Sequence, residues 1–574
     1  MLQVAHPYNS NKTIFLFSQA VLTSVQHIAF AAGPFHLFRI PVDNTTEDAS
    51  GSSQPSIYAF CLPGHESHLT TSTSFLRSAM SFYTTEFGSY PFGSYKLVFV
   101  DQLPTQRFDS ATLSLVTIDL LHGEDTIEQA LETRQALSHA LACQWAGINI
   151  IPKNWSDLWL VNGLALHITG LFMRKLFGNN DYRFRLKKDM QRVLDWDVGG
   201  MPPICQPQVF DPPDAATLPF INLKAPLILH ILDRRLGKSG TSLGLSRVLP
   251  KVFLSAISGE LQNNALSTHT FLRTCRKVSG VDPRSFAEQW IYGSGCPSFV
   301  FQASFNRKKM AVEISMRQEA PAYKAMEHNE VSKILMKPVP FFEVSATWNL
   351  FDHYSFLFVY QGQMTIRIHE ADGTPYEHVL DIRAPFKRYE VPFNTKYKRV
   401  RRNTKRYLAR QAAAQAAAEG DTEAAEAMGM VDMGFGLEVW EKEQERENWK
   451  VADWTEDEES NMSGATYEWI RMDADFEWLA NIKFEQPDFM WVSQLQRDRD
   501  VVAQLEVCTL SRGSAKSSET LLGHTCISRE TYCDCFQYPH QDGFGVKLLL
   551  PHSLRSCFGI GQCMATFEFL LVLY

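Results

Sequence analysis

The sequence predicts an α+β multidomain protein in which a mostly helical domain is flanked by β domains. Three observations carry this expectation. Short runs of alternating apolar and polar residues occupy 13–40 and return over 297–395, whereas between about 66 and 295 apolar residues recur mainly at helical spacing. With 574 residues and 45% hydrophobic content, the chain has material for about two to four domains, each with its own core.

Residues 13–40 contain TIFLFSQAVL, VQHIAFAAG and FHLFRI between polar or small breaks, and read as strands within a first segment, 1–43. The Ser-, Thr- and Gly-rich stretch 44–56 reads as a loop that opens the next domain, 44–296. Within it, Asp125 with Glu128 three residues on is a candidate N-cap, and Gly147 a candidate C′ residue, of one helix. A second helix is expected from near Ser156 to just before Gly178. Alternation in VFQASFN, FFEVSATWNL, FLFVYQG and MTIRIHE, with the DG turn of EADGTPYEHV, predicts a β-sandwich over 297–395.

Residues 396–465 read as a charged, disordered insertion. Eight cations fall within fifteen positions, Lys396, Lys398, Arg399, Arg401, Arg402, Lys405, Arg406 and Arg410, before the alanine-rich RQAAAQAAAEGDTEAAEAMGM and the acidic ADWTEDEES. The basic run suits a solvated linker, a nuclear-import signal or partner contact, or a direct contact to phosphates. Residues 466–507 are expected to complete the sandwich and join it to a helical region, because Phe484, Phe489, Met490 and Trp491 of KFEQPDFMW are too apolar to lie exposed together. The segment 508–574 holds six of the eleven cysteines without a clear period and reads as a disordered tail. Its sharper alternative is a zinc site from Cys526, Cys533, Cys535 and His540.

A net charge of −8 argues against nonspecific polyanion binding through the overall field. No run of eighteen apolar residues spans a membrane, and MLQVAHPYNSNKTIFLFSQ lacks the order of a secretory signal, so an intracellular chain is expected. Cysteines without paired spacing over the first 500 residues suit a reducing compartment.

The chemistry-bearing text is HALACQW at 139–145 followed by WSDLWLVNGLA at 155–165. A zinc peptidase needs HExxHQW and WxDLWLxEGxA: two His at i and i+4 on one helix face, a Glu on the next helix as third ligand, and a Glu beside the first His as general base. Here His139 stands alone, with Ala140 at the base position, Cys143 at the second ligand and Asn162 at the third. A buried pair kept for packing is the plainer reading of His139 and Cys143; residual zinc binding through a Cys143 thiolate is the other.

These motifs, with KNWSDLWL and FMRKLFG around them, resemble the gluzincin aminopeptidases over about forty positions. The resemblance implies a thermolysin-like fold for 44–296 and makes 1–43 the remnant of an N-terminal β domain. It also exposes two further departures. FDSATLSLVTID at 108–119 lacks the loop that grips a substrate's free amine, and FINLKAPLILHILDRRLG places Asn222 where the family has its oxyanion-stabilising Tyr, leaving only Lys224 of that motif.

TIRIHEADGTPYEHVLDI, YEWIRMDADFEWLANIKFEQPDFMW and QLQRDRDVVAQLE extend the likeness to a narrower family, the non-catalytic, aminopeptidase-like TATA-binding-protein-associated factors of general transcription factor TFIID. That resemblance covers roughly 12–507. It implies a non-enzymatic nuclear scaffold for core-promoter recognition, chromatin binding and RNA polymerase II preinitiation-complex assembly, without cofactor or membrane. The implied partners are other TFIID subunits, the TATA-binding protein and core-promoter DNA. A zinc-dependent aminopeptidase with a variant metal site is the alternative.

Overall fold

The computed structural model describes residues 2–5, 7–8, 13–16, 19, 21–41, 55–197, 201–238, 244–319, 359–370, 375–393, 467–498 and 500–513. The basic run, the rest of 396–465, FFEVSATWNL, the DG turn and all of the tail after 513 lie outside them. Two compact units divide the chain: Met1–Arg399 with Ile470–Glu485, and Val400–Trp469 with Gln486–Tyr574.

The first unit begins with an antiparallel hairpin, β1 (Leu2–Ala5) with β2 (Thr13–Leu16). VQHIAFAAG forms no strand. It makes a single 3-10 turn at Val25–His27, and Val25, Ile28 and Phe30 remain exposed, since alternation without a partner edge does not fix a strand. β3 (His36–Arg39) pairs instead with β4 (Ser56–Cys61) in a five-stranded sheet that continues through β5 (Ser94–Val100), β6 (Arg107–Ser110) and β7 (Leu113–Thr117) in the order β3-β4-β5-β7-β6. A boundary at 43 therefore falls between two strands of one sheet.

Three of these strands lie within the stretch whose pattern reads as mainly helical. β5 buries Leu97, Val98 and Phe99 in succession, and a short continuous apolar run has no period to separate strand from helix.

Among the described residues this region also holds eight helices: α1 (Glu66–Thr73), α2 (Leu76–Phe87), α3 (Glu128–Cys143), α4 (Leu158–Trp196), α5 (Thr217–Gly237), α6 (Leu245–Ile257), α7 (Thr268–Ser279) and α8 (Arg284–Trp290). α3 is shorter than its sequence suggests at both ends. Ile127 is its N-cap without a side-chain bond, and Gly147 lies beyond its end in a turn where its N–H donates to Ile150 O at 2.8 Å. α4 does break at Gly178, whose φ of 87° only glycine adopts cheaply, but the chain re-enters helix and runs on to Trp196. Between β7 and α8, two short strands, β8 (Ile151–Pro152) and β9 (Ala265–Leu266), pair in parallel.

The helical core gathers aromatic rings from α2, α4, α6 and the turn after α3. Tyr83 meets Trp145 at 5.7 Å and Phe172 at 5.8 Å, while Phe87 meets Phe253 at 6.1 Å. Fully buried rings of this size dominate core energetics.

The remaining strands of the unit form two sheets. β10 (Ser298–Asn306), β11 (Ala311–Glu319), β14 (Phe386–Pro392) and β16 (Asn481–Glu485) make one in the order β14-β11-β10-β16, and β12 (Gly362–Glu370) pairs with β13 (Pro375–Ile382) antiparallel in the other; β15 (Tyr467–Arg471) straddles the boundary between the two units. Between β15 and β16 a tight loop carries Asp473 and Phe476 at φ of 48° and 56°. Such backbone is held only by surrounding contacts. Asp473 accepts hydrogen bonds from the N–H groups of Glu477 (2.8 Å) and Trp478 (3.1 Å), Glu477 accepts from Thr365 N (2.7 Å), and Arg367 bonds Asp475 at 2.9 Å. From α4 and α5, Arg183 donates to Ala474 O at 2.8 Å and stacks on Phe476 and Arg235 stacks on Trp478, while Lys238, the C-cap of α5, pairs with Glu477.

In the second unit, Trp469 Nε1 donates to Asp498 Oδ2 at 3.2 Å and Arg497 pairs with Glu468 at 3.3 Å, both partners buried. α9 (Asp488–Arg497) and α10 (Val501–Gly513) form a helical pair bridged by Gln494 Nε2 to Ala503 O at 3.0 Å. KFEQPDFMW is thus divided between a strand and a helix: Met490 is buried, and Phe484, Phe489 and Trp491 are half-buried. α10 carries regular structure six residues past 507.

Burial, and next the neighbouring Glu477, push the Asp473 carboxyl up to about 8 from its ordinary 3.8. A carboxyl raised in this way binds a proton on folding, so its contribution to stability declines as pH rises from about 4 to 8. Thermal melts between pH 5 and 8 are expected to show a falling midpoint, and Asp473→Asn a flatter slope from a lower starting value.

Candidate functional site

His139 and Cys143 of α3 sit beside β6, the edge strand of the five-stranded sheet. Arg107 and Asp109 occupy alternate positions of β6 and so point to one face. Arg107 Nε pairs with Asp109 Oδ2 at 2.7 Å, Nη1 donates to Ala136 O of α3 at 2.7 Å, and Nη2 donates to His139 Nδ1 at 3.0 Å and lies 4.0 Å from Cys143 Sγ. Because a guanidinium only donates, His139 accepts at Nδ1 and its neutral ring carries the proton on Nε2. Loss of hydration, then Arg107, hold His139 well below the usual imidazole range. Burial pushes the Cys143 thiol up to about 12, so it is not a thiolate.

A hydroxyl chain extends this cluster into the sheet. Ser114 Oγ donates to Asp109 Oδ1 at 2.8 Å and Tyr95 OH donates to Ser114 Oγ at 2.9 Å. At the third-ligand position, Asn162 Nδ2 donates to Asn222 Oδ1 at 2.9 Å. The structure thus joins His139 with Cys143, and Asn162 with Asn222, and buries Ala140 in the core. FDSATLSLVTID is the β6–β7 hairpin, its turn residue Thr112 at φ 66°.

These residues do not fit zinc. A cationic guanidinium already donates to the first ligand position and lies 4.0 Å from the thiol at the second, and the amide at the third is taken by another amide. Among the described residues, no group of three or more His, Cys, Asp or Glu side chains is arranged to hold a metal ion.

The unaltered motif positions have structural tasks. Gln144 accepts Thr112 N–H at 3.0 Å and donates to Ser110 O at 3.0 Å, fixing the hairpin turn; Trp145 Nε1 donates to Gly88 O at 3.2 Å. Asp157 closes a capping box with Asn154 and accepts Thr268 N–H at 2.8 Å, and Trp159 Nε1 donates to Thr268 Oγ1 at 3.0 Å. At Gly163 a Cβ would lie 2.9 Å from Ala225 Cβ, so glycine sets how closely α4 and α5 pack.

Lys224 is fully buried, its Nζ 2.9 Å from Asp197 Oδ2, with Cys296 Sγ on the same oxygen at 3.7 Å. Pro226, four residues after Asn222, removes the helical donor for the Asn222 carbonyl. Sequence reasoning missed Arg107, Asp109 and Asp197. The signal for the first two was the Arg-x-Asp spacing of RFDS, two charges on one strand face.

Residues 72–290 match the Peptidase family M1 domain and residues 294–487 the TAF2 Ig-like domain. Transcription initiation factor TFIID subunit 2 of Schizosaccharomyces pombe is 43% identical over 88% of this chain, and its Saccharomyces cerevisiae counterpart 33% identical over 88%. Over that span the chain is similar to TFIID subunit 2. It covers 42% and 37% of those two relatives, respectively. A leucyl aminopeptidase of Saccharolobus solfataricus is 22% identical over 48% of the chain. Aminopeptidase A of Legionella pneumophila, solved with aspartic acid, superposes with a TM-score of 0.53 at 13% identity, covering 86% of this chain and 43% of its own, which shows the shared fold. The mixed α+β class and the aminopeptidase-like frame stand on these matches. No helix among the described residues is long and apolar enough to cross a membrane.

Breaking the buried Lys224–Asp197 pair strands one charge in the core. Lys224→Met is expected to cost about 3–5 kcal/mol in urea denaturation. Adding Asp197→Leu to it is expected to restore most of that loss.

Proposed function

We propose that this chain is a non-enzymatic scaffold portion of TFIID, acting in core-promoter recognition and RNA polymerase II preinitiation-complex assembly in the nucleus. The observation that carries this reading is the similarity to TFIID subunit 2 over 88% of the chain, together with the match of residues 294–487 to the TAF2 Ig-like domain directly after the peptidase-family match of 72–290. The centre supports it from the chemical side. It has no general base at Ala140, no oxyanion partner at Asn222 and no amine-gripping loop in the β6–β7 hairpin, each a separate contribution to lowering a hydrolytic barrier.

The partners proposed are other TBP-associated factors, the TATA-binding protein and core-promoter DNA. Lys396, Lys398, Arg399, Arg401, Arg402, Lys405, Arg406 and Arg410 are proposed to serve nuclear entry or a salt-sensitive partner or phosphate contact.

Two experiments test this reading. Hydrolysis of fluorogenic aminoacyl amides is expected at background, with or without added Zn²⁺; chelator-sensitive turnover that follows the pure protein would instead establish the variant-site aminopeptidase. Neutralising Lys398, Arg399, Arg401, Arg402, Lys405 and Arg406 is expected to leave the melting midpoint in place while reducing nuclear accumulation or the salt dependence of promoter binding. Failure of the unmodified chain to co-purify with TFIID subunits would refute the scaffold assignment.

A further inference from the structure

We infer that Arg107 is a fixed internal cation standing in the place of the metal, and that its guanidinium, more than the missing ligands, bars a divalent ion from this centre. The inference goes beyond the scaffold reading and does not rest on it.

Four observations carry it. The guanidinium meets both side chains that a metal would draw together, His139 at 3.0 Å and Cys143 at 4.0 Å. It is anchored away from solvent, its side chain 17% exposed, by Asp109 on one edge and the Ala136 carbonyl on the other. Asp109 is the compensating anion, and Ser114 and Tyr95 tie it to the neighbouring strands. Finally, the Asn162 amide donates to Asn222 Oδ1 at 2.9 Å. A guanidinium keeps its charge at every accessible pH, so a dication entering here meets a like charge that cannot be titrated away. Restored ligands alone leave that charge where it is.

The test uses the full chain and reads zinc by elemental analysis after dialysis against a weak chelator. One variant carries Ala140→Glu, Cys143→His and Asn162→Glu with Arg107 kept; a second adds Arg107→Ala. The first is expected to retain less than about 0.1 zinc per chain and the second close to one, with a melting midpoint that rises on adding zinc. A full equivalent of zinc in the variant that keeps Arg107 overturns the inference, as does its absence from a folded variant that lacks Arg107.

Should the added carboxylates prevent folding, Arg107→Met in the otherwise native chain decides the structural half. Its midpoint is expected to fall by about 5 °C and to recover in part with millimolar guanidinium chloride but not with tetramethylammonium, while Arg107→Lys loses less. An unchanged midpoint in Arg107→Met, or equal rescue by both cations, refutes the assignment.

Discussion

A half-buried guanidinium is stable only where its donors and its charge are met, and this requirement organises the centre of the molecule. Arg107 satisfies it with three different kinds of partner: a carboxylate on its own strand, a main-chain carbonyl of α3 and an imidazole nitrogen one turn further along that helix. The consequence is mechanical. β6 is fastened to α3 across 29 to 32 residues of sequence, and through Asp109, Ser114 and Tyr95 the same network reaches β7 and β5. A metal ion in a peptidase of this frame would tie two helices by coordination; here charge-assisted hydrogen bonds tie a helix to a sheet.

The two motifs divide cleanly by physical task. Gln144, Trp145, Asp157, Trp159 and Gly163 match the peptidase pattern, and each has a hydrogen bond or a close contact that the fold would lose without it. Ala140, Cys143, Asn162 and Asn222 depart from it, and these are the positions whose work in a peptidase is to bind metal, move a proton or stabilise an oxyanion. Packing and catalysis therefore separate along this sequence residue by residue. The frame does not depend on the residues at the metal position, because burying Trp145 and Trp159 stabilises the fold whatever stands there.

Much of this was legible beforehand, for identifiable reasons. Long amphipathic segments revealed the helical domain, and the break at Gly178 followed from the one residue type that tolerates that φ. Alternation gave β10, β12 and β13. The parallel strands around β5 were hidden because buried strands lose the period-2 signal, and VQHIAFAAG misled because alternation says nothing about whether a neighbouring edge exists to pair with. The degenerate ligand positions could be read from spacing alone. Arg107 could not, because nothing local links residue 107 to residue 139; the tertiary fold does. Asp197, which neutralises Lys224 from the end of α4, was hidden in the same way.

The strain between β15 and β16 belongs to the same account. Two non-glycine residues at positive φ within four positions cost about 1–3 kcal/mol each, and in many proteins such outliers mark a reacting centre. Here they mark a joint. Arg183, Arg235 and Lys238 from α4 and α5 grip the acidic and aromatic side of this loop, while Thr365 and Arg367 of β12 hold the other, so the loop's conformation is over-determined from two domains at once. In this chain the two residues at positive φ are held between side chains from α4 and the end of α5 on one side and from β12 on the other, so breaking either set of contacts would release the loop.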